Sequence, residues 1–351
     1  MKAIKKAIEN KLEEPIEIED VVTFVDWYRY WFLSFRSQNI REVTKLKYCV
    51  IFNQLVESSL GQMDIKKIKR LDVQTYINNY GEIRSKQTVL DHMQYIRSAF
   101  NDAMTEGLIT TNPSSNIKMV YKEQRLSPME QKKLREEKKW LEIDEYQKLK
   151  YFLIFNLEEM LEVYDKPGKF YFSKATYYVM IFVAMKTGAR VSEILGLTRA
   201  DINFEKELIN IDKTWDYKFN QGFVGTKNFA SIREVLIDKE TTEILKKYIL
   251  WLDGSQREME SDLLFVLKDR RVYTSTINNQ LYQVLDELEI ERISFHKLRH
   301  THASYLIAKE IPLQVVAKRL GHTDTNMIAQ VYGHLLEETE NRGNQRILEL
   351  I

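Results

Sequence analysis

The chain has 351 residues, with 52 Lys and Arg against 51 Asp and Glu, a formal net charge of +1. That balance excludes a global basic field, so any contact with nucleic acid has to come from local patches. A hydrophobic content of 44%, with 16 Phe, 19 Tyr and 5 Trp, excludes a disordered chain, and the single cysteine, Cys49, excludes intramolecular disulfides and cysteine-based zinc sites.

The length allows two domains or three. Only five prolines and twelve glycines interrupt it, which favours a mainly α fold. The opening MKAIKKAIENKLEEPIE has no apolar run of signal-peptide length. The longest apolar stretch, YYVMIFVAM at 177–185, is too short to span a bilayer. The expectation is a soluble, cytoplasmic protein without membrane contact.

In chain order, residues 1–15 read as a short charged extension. VVTFVDWYRYWFLSF, from Val21 to Phe35, is densely aromatic and predicts a buried helix with Asp20 as its N-cap. Further helices are predicted over 41–57 and 72–80. Ser85 is placed to cap another, in which Val89, Met93, Ile96, Phe100 and Met104 keep helical spacing. EGLITTNP at 106–113 ends that helix with Gly107 and Pro113. Residues 16–121 thus read as a helical bundle.

KEQRLSPMEQKKLREEKK at 122–139 carries seven Lys and Arg against four Glu. It reads as a solvated basic linker or as an exposed charged helix. A second domain, 140–351, follows. Helices are predicted at 143–156 and 173–186, a turn at Gly188, and a restart near Val191. LINID (208–212), FVGTK (223–227) and IREVLI (232–237) read as short strands of a small antiparallel sheet. Helices then follow at about 240–252, 275–288, 296–308, 312–320 and 326–337.

The stretch HKLRHTHASYL, 296–306, holds three of the six histidines. An H-x-x-x-H pair on a helix is a known zinc arrangement when a glutamate base accompanies it. Here Lys297 follows His296, and Arg299 lies between the two histidines. Fixed positive charges beside a dication are electrostatically wrong, so no metal site is expected. An anion fits better. His296 and Arg299 are i and i+3 on one helical face. Residues 292–334 hold Arg292, Lys297, Arg299, Lys309, Lys318 and Arg319 against Glu310 and Asp324. Arginine offers a planar fork to phosphate, and histidine a hydrogen bond or a proton. A solvated basic helix stays open as the alternative for this segment alone.

RLGHTDTNMIAQVYGHL at 319–335 places His322 just past a helix end at Gly321, with Tyr332 ten residues on. TGARVSEILGLTRADI at 187–202 places Arg190 at a helix start, where backbone N–H groups favour an anion. In this order, these blocks and the H-x-x-R box resemble the tyrosine recombinase family, above all phage and transposon integrases. The likeness covers most of the chain. It is fainter over 20–121, where the TKLKY run at 44–48 and AFNDAMTEGLITTNP at 99–113 look like the family's core-binding domain.

The resemblance implies a mainly α architecture: a SAM-like helical core-binding bundle and a mostly helical catalytic domain with a small antiparallel sheet. It implies site-specific recombination through a covalent 3′-phosphotyrosyl intermediate, integrating or excising a mobile element. Arg190, His296, Arg299 and His322 would be catalytic, with Tyr332 as nucleophile. Lys227 would be the catalytic lysine, with Lys213 and Lys218 as alternatives on the same sheet. Glu193 and His300 would stand behind them. Thr44, Lys45, Tyr48, Lys86, Arg233 and Lys297 would face DNA. No cofactor and no metal would be needed.

Expected partners are double-stranded DNA, a homotetramer on that DNA, and accessory DNA-bending or excisionase proteins. The expected location is a bacterial cytoplasm or nucleoid. The tail 337–351 would dock on a neighbouring subunit or on its own domain. Two other readings stay open at this level: a single-duplex resolving enzyme of the same chemistry, and a non-catalytic DNA-binding protein.

Overall fold

Backbone contacts divide the chain into two units, Met1–Glu137 and Lys138–Ile351. The structure, a computed structural model, describes residues 9–135, 137–162, 174–218, 222–225, 229–255, 258–268, 270–322 and 325. The predicted helix at 326–337, the tail 337–351 and most of the N-terminal extension lie outside the described residues.

In the first unit, α1 (Phe24–Trp31) is capped by Thr23, not by Asp20. The Thr23 hydroxyl accepts from Asp26 N–H, and the Asp26 carboxylate accepts from Thr23 N–H and Oγ1–H. This reciprocal box satisfies donors that a helix start leaves open. Asp20 sits instead in a 3-10 turn, Ile18–Asp20. The helix runs on as a π-helical turn over Phe32–Arg36.

There follow α2 (Glu42–Val56), α3 (Ser59–Gln62), α4 (Arg70–Gly81) and α5 (Lys86–Thr105). Ser85 caps α5 by accepting from Thr88 N–H, and Val89, Met93, Ile96 and Phe100 are buried as their spacing predicts. Met104, on the last turn, is 43% exposed.

The aromatic run of α1 forms the core of this unit. Phe24 stacks on Phe100 with ring centroids 4.1 Å apart. Trp27 donates its indole N–H to the Ala99 carbonyl at 2.8 Å, and Trp31 donates to Asp102 at 2.6 Å. These bonds let large rings bury without leaving a polar atom unpaired. Of the two readings of the charged segment, residues 128–135 take the helical one as α6 (Pro128–Arg135), with Ser127 and Glu130 bonded across its first turn.

The second unit is organised around α8 (Lys174–Thr187), which follows α7 (Ile143–Met160). Its Tyr178–Met185 stretch is buried on every side, as expected for a helix apolar all round. It packs against α7, α10 (Lys239–Gly254), α11 (Thr274–Glu287) and α12 (Lys297–Ala308). Among the described residues, no helix is long and apolar enough to cross a membrane.

After the short α9 (Val191–Leu195), the strands form two small antiparallel sheets, not one. One has the order β1 (Ile202–Asn203), β2 (Leu208–Ile211), β5 (Arg233–Leu236). The other pairs β3 (Lys213–Trp215) with β4 (Phe223–Gly225). Register pairs Ile209 with Val235 and Ile211 with Arg233. The last described helix is α13 (Leu313–Leu320), ended by Gly321 in the left-handed conformation.

Candidate active site

Two helix C-termini meet in the second unit. The final carbonyls of an α-helix have no partner within the helix and need donors from elsewhere. Here buried side chains supply them. At the end of α8, His302 Nδ1 binds the Met185 carbonyl at 2.7 Å, Arg319 Nη2 donates to Lys186 at 2.9 Å, and Arg299 Nη1 donates to Gly188 at 2.7 Å. At the end of α13, Arg233 Nε donates to the Arg319 carbonyl at 2.7 Å, and Arg299 Nη2 donates to Leu320. Cations at helix C-termini also suit the helix dipole.

The chain is shaped for this junction. Gly188 has φ +66°, and a Cβ there would lie 2.6 Å from Leu320 Cδ2 and 2.9 Å from His302 Cδ2. Only glycine takes this backbone without strain. The turn it makes delivers Arg190, the N-cap of α9. The anion at that helix start is the protein's own. Glu193 accepts the Arg190 backbone N–H at 2.8 Å and its Nη1 at 2.6 Å. A phosphate is therefore left to the guanidinium, not to this backbone donor.

His302 is bound on both ring nitrogens. Arg319 Nε can only donate to Nε2, at 2.9 Å, so Nδ1 carries the proton that goes to Met185. The ring is neutral, and burial followed by the charge of Arg319 pushes its pKa down to about 3. His322 lies half-buried beyond Gly321. Burial, then the charges of Arg299, Arg190 and Arg233, push it down to about 4. His300 is pushed to about 4 by burial and then by His296 and Arg299. His296 is lowered by partial burial, then by Arg299 and Arg190. Its ring meets that of His300 edge-on at 5.8 Å. These shifts describe one concentration of positive charge around neutral imidazoles.

Arg190, His296, Arg299 and His322 are thus brought together, with Glu193 and His300 beside them. Lys227 and Tyr332 lie outside the described residues. Lys213 is committed elsewhere: its Nζ binds both oxygens of the buried Asp201, at 2.5 and 2.6 Å.

The residues expected to face DNA divide. Arg233 does not face outward. Its side chain is 4% exposed, with Glu193, Ser231 and Arg319 taking its donors. Tyr48 is turned into the aromatic core against Trp31, Phe32 and Tyr95. Lys45 is paired with Glu13, and Lys297 Nζ donates to the Lys138 carbonyl at 2.8 Å. Thr44 is half-buried on α2, and Lys86 lies exposed at the start of α5, over the Tyr121 ring.

Sequence reasoning missed the inward role of Arg233 and the His302–Arg319 pair. Strand parity carried the first signal, since Arg233 shares a face with the buried Val235.

Comparison with known proteins gives the same direction. Residues 150–339 match the Phage integrase family, and residues 23–80 match the phage integrase N-terminal SAM-like domain. A tyrosine recombinase XerC-like protein of Caldanaerobacter subterraneus subsp. tengcongensis is 25% identical, covering 99% of this chain and 90% of its own. The integrase of a Staphylococcus phage is 23% identical, over 99% of this chain and 98% of its own. The transposase of transposon Tn916 from Enterococcus faecalis is 23% identical, over 84% of this chain and 70% of its own.

Among solved structures, the Tn1549 transposon integrase in complex with a circular intermediate DNA superposes with a TM-score of 0.67 at 17% identity, covering 88% of this chain and 94% of that one. A lambda integrase dimer bound to a core site gives 0.57 at 17% identity, covering 88% and 94%. These likenesses show the fold.

Proposed function

The chain belongs to the phage integrase family and is a tyrosine recombinase of the phage and transposon type, a DNA breaking and rejoining enzyme; from that premise we propose that Arg190, His296, Arg299 and His322 bind the scissile phosphate and Tyr332 attacks it. One observation carries this reading. The guanidinium of Arg299 is bound to the carbonyls of Gly188 and Leu320, and these sit two positions from Arg190 and from His322. Three separate blocks of sequence thereby serve one site.

The steps follow from the groups. Attack forms a bond between the Tyr332 oxygen and phosphorus, and breaks the bond from phosphorus to the 5′ oxygen. Negative charge grows on the non-bridging oxygens, where two arginines and uncharged imidazole donors stabilise it. A tyrosine hydroxyl with a pKa near 10 has to lose its proton, and His296, held neutral, can take it. Lys227 gives the leaving 5′ oxygen a proton. The 3′-phosphotyrosyl bond keeps the energy of the broken one, so a 5′ hydroxyl from a second strand can reverse the step.

In this reading residues 16–121 are the core-binding DNA module, 122–139 the linker and 140–351 the catalytic domain. DNA is the substrate, and a tetramer on two duplexes is the working assembly. DNA-bending or excisionase proteins assist, and the 337–351 tail contributes to subunit contact.

The test uses a nicked suicide duplex of the cognate site. Wild type should form a covalent protein–DNA adduct. Tyr332→Phe should form none while binding the same duplex. An adduct that survives this change removes Tyr332 as nucleophile.

A further inference from the structure

Glu193 is 1% exposed and lies between two guanidinium groups. Arg190 reaches it with a backbone N–H and Nη1. Arg233 reaches it with Nη2 at 2.9 Å and Nη1 at 3.3 Å. The two arginines differ in access: Arg190 is 33% exposed and Arg233 only 4%. One of them can meet a ligand, and the other cannot.

Charge counting shows what the buried arginine does. Two arginines and one carboxylate sum to +1, and the exposed member of the trio is Arg190. Without Arg233 the sum is zero, and Arg190 alone would have to compensate a buried anion. Such a carboxylate binds its partner strongly in a low-dielectric setting. Arg190 would then be held inward, and its pull on a phosphate would be cancelled.

Arg233 is itself fixed. Its Nε donates to the Arg319 carbonyl at 2.7 Å and its Nη1 to the Ser231 carbonyl at 3.0 Å. Gly321 gives it room, since a Cβ there would stand 3.1 Å from Nη1. Among the described residues, Arg190 Nε and Nη2 have no partner.

We propose that Arg233 is a positioning residue for strand cleavage: by binding the Glu193 carboxylate it leaves Arg190 its positive charge and its remaining donors for the scissile phosphate. The inference rests on the reading of Arg190 as a phosphate ligand given above. A lysine could not replace it, because one ammonium cannot bind a carboxylate side-on while also donating to two carbonyls.

The experiment is single-turnover cleavage of the nicked suicide duplex by the full chain, with thermal unfolding recorded for each variant. Arg233→Met should slow adduct formation by about a hundredfold or more, the scale of losing an electrostatic contact to the transition state. A smaller loss overturns the proposal. Removing one member of a buried pair can also unfold a protein, whereas removing both charges is often tolerated. The double variant Arg233→Met with Glu193→Gln therefore decides independently. It should fold and cleave within about thirtyfold of wild type, since no buried anion is left to capture Arg190. A folded double variant slower than that overturns the proposal.

Where Arg233→Met folds, rescue of its cleavage by the added Glu193→Gln is the readout that packing alone does not move; absence of rescue counts against the proposal. Failure of the functional reading looks different. Then wild type forms no adduct, or Tyr332→Phe still does.

Discussion

Arg299 donates to the carbonyl of Gly188 at 2.7 Å, a contact spanning 111 positions of sequence. The same guanidinium also binds Leu320, so one buried side chain ties the turn before Arg190 to the turn before His322. This bridge defines the candidate site more than any single group in it.

Arg299→Lys keeps the charge and loses the fork. An ammonium cannot hold two diverging carbonyls and still address a phosphate. Adduct formation should fall by about a hundredfold or more, the loss found when a transition-state donor is removed. Non-covalent binding of the same duplex should fall far less. Quenched-flow cleavage and a gel-shift titration measure the two, and equal losses in both would argue that Arg299 serves ground-state binding only.

Gly188 and Gly107 separate two costs. Both have positive φ, but an added Cβ meets nothing within 4 Å at Gly107 and crowds Leu320 and His302 at Gly188. Gly107→Ala should cost about 1–2 kcal/mol from left-handed strain alone. Gly188→Ala adds overpacking of about 1–3 kcal/mol to that strain. It should also slow cleavage, because the turn carrying Arg190 moves. Thermal unfolding of both variants gives the comparison, and equal shifts would refute the packing argument.

His302 gives the second unit an acid sensitivity. Above about pH 6.5 the ring is neutral in both the folded and the unfolded chain, and its contribution is complete. As pH falls from 6.5 toward about 3, the unfolded chain takes up a proton that the folded one refuses, so stability declines across that window. The total is on the order of a few kcal/mol. His302→Gln keeps a donor and an acceptor without a titration. Urea unfolding from pH 7 to pH 4 should show a shallower decline in this variant than in wild type.

Lys213 and Lys227 should respond differently to leaving-group chemistry. Lys213→Ala breaks a pair with the buried Asp201 and should lower stability while cleavage by folded protein persists. Lys227→Ala should slow cleavage by about a hundredfold or more, the scale of general acid catalysis. A 5′-thiol leaving group needs no proton, so a duplex carrying a bridging sulfur should recover most of the Lys227→Ala loss and none of any Lys213→Ala loss. Recovery in Lys213→Ala would reverse the assignment.

Much of this arrangement is legible in the residues. The period of Val89, Met93, Ile96 and Phe100 marks the buried face of α5, and Ser85 marks its start. Gly188 and Gly321 mark turns that only glycine takes easily. The sequence offers two good caps for α1, Asp20 and Thr23, and the reciprocal bonds of Thr23 with Asp26 decide between them.

The sequence suggests one sheet because the three-residue β3 is too short to stand out as a strand; β4 pairs with it, while β2 pairs with β1 and β5. The resemblance turns Arg233 and Tyr48 toward DNA, and polar side chains are usually exposed. Long-range partners, Glu193 for one and an aromatic cluster for the other, reverse that rule, and no local pattern announces a partner forty positions away.

Every described group of the catalytic junction, from Met185 to His322, belongs to the unit Lys138–Ile351. The helix that anchors it, α8, is buried along almost its whole length. The chemistry proposed above is therefore carried by one of the two units. Where residues 16–121 read the target as proposed, exchanging the first unit should alter the address of the recombinase and leave intact the scaffold that bond breaking needs.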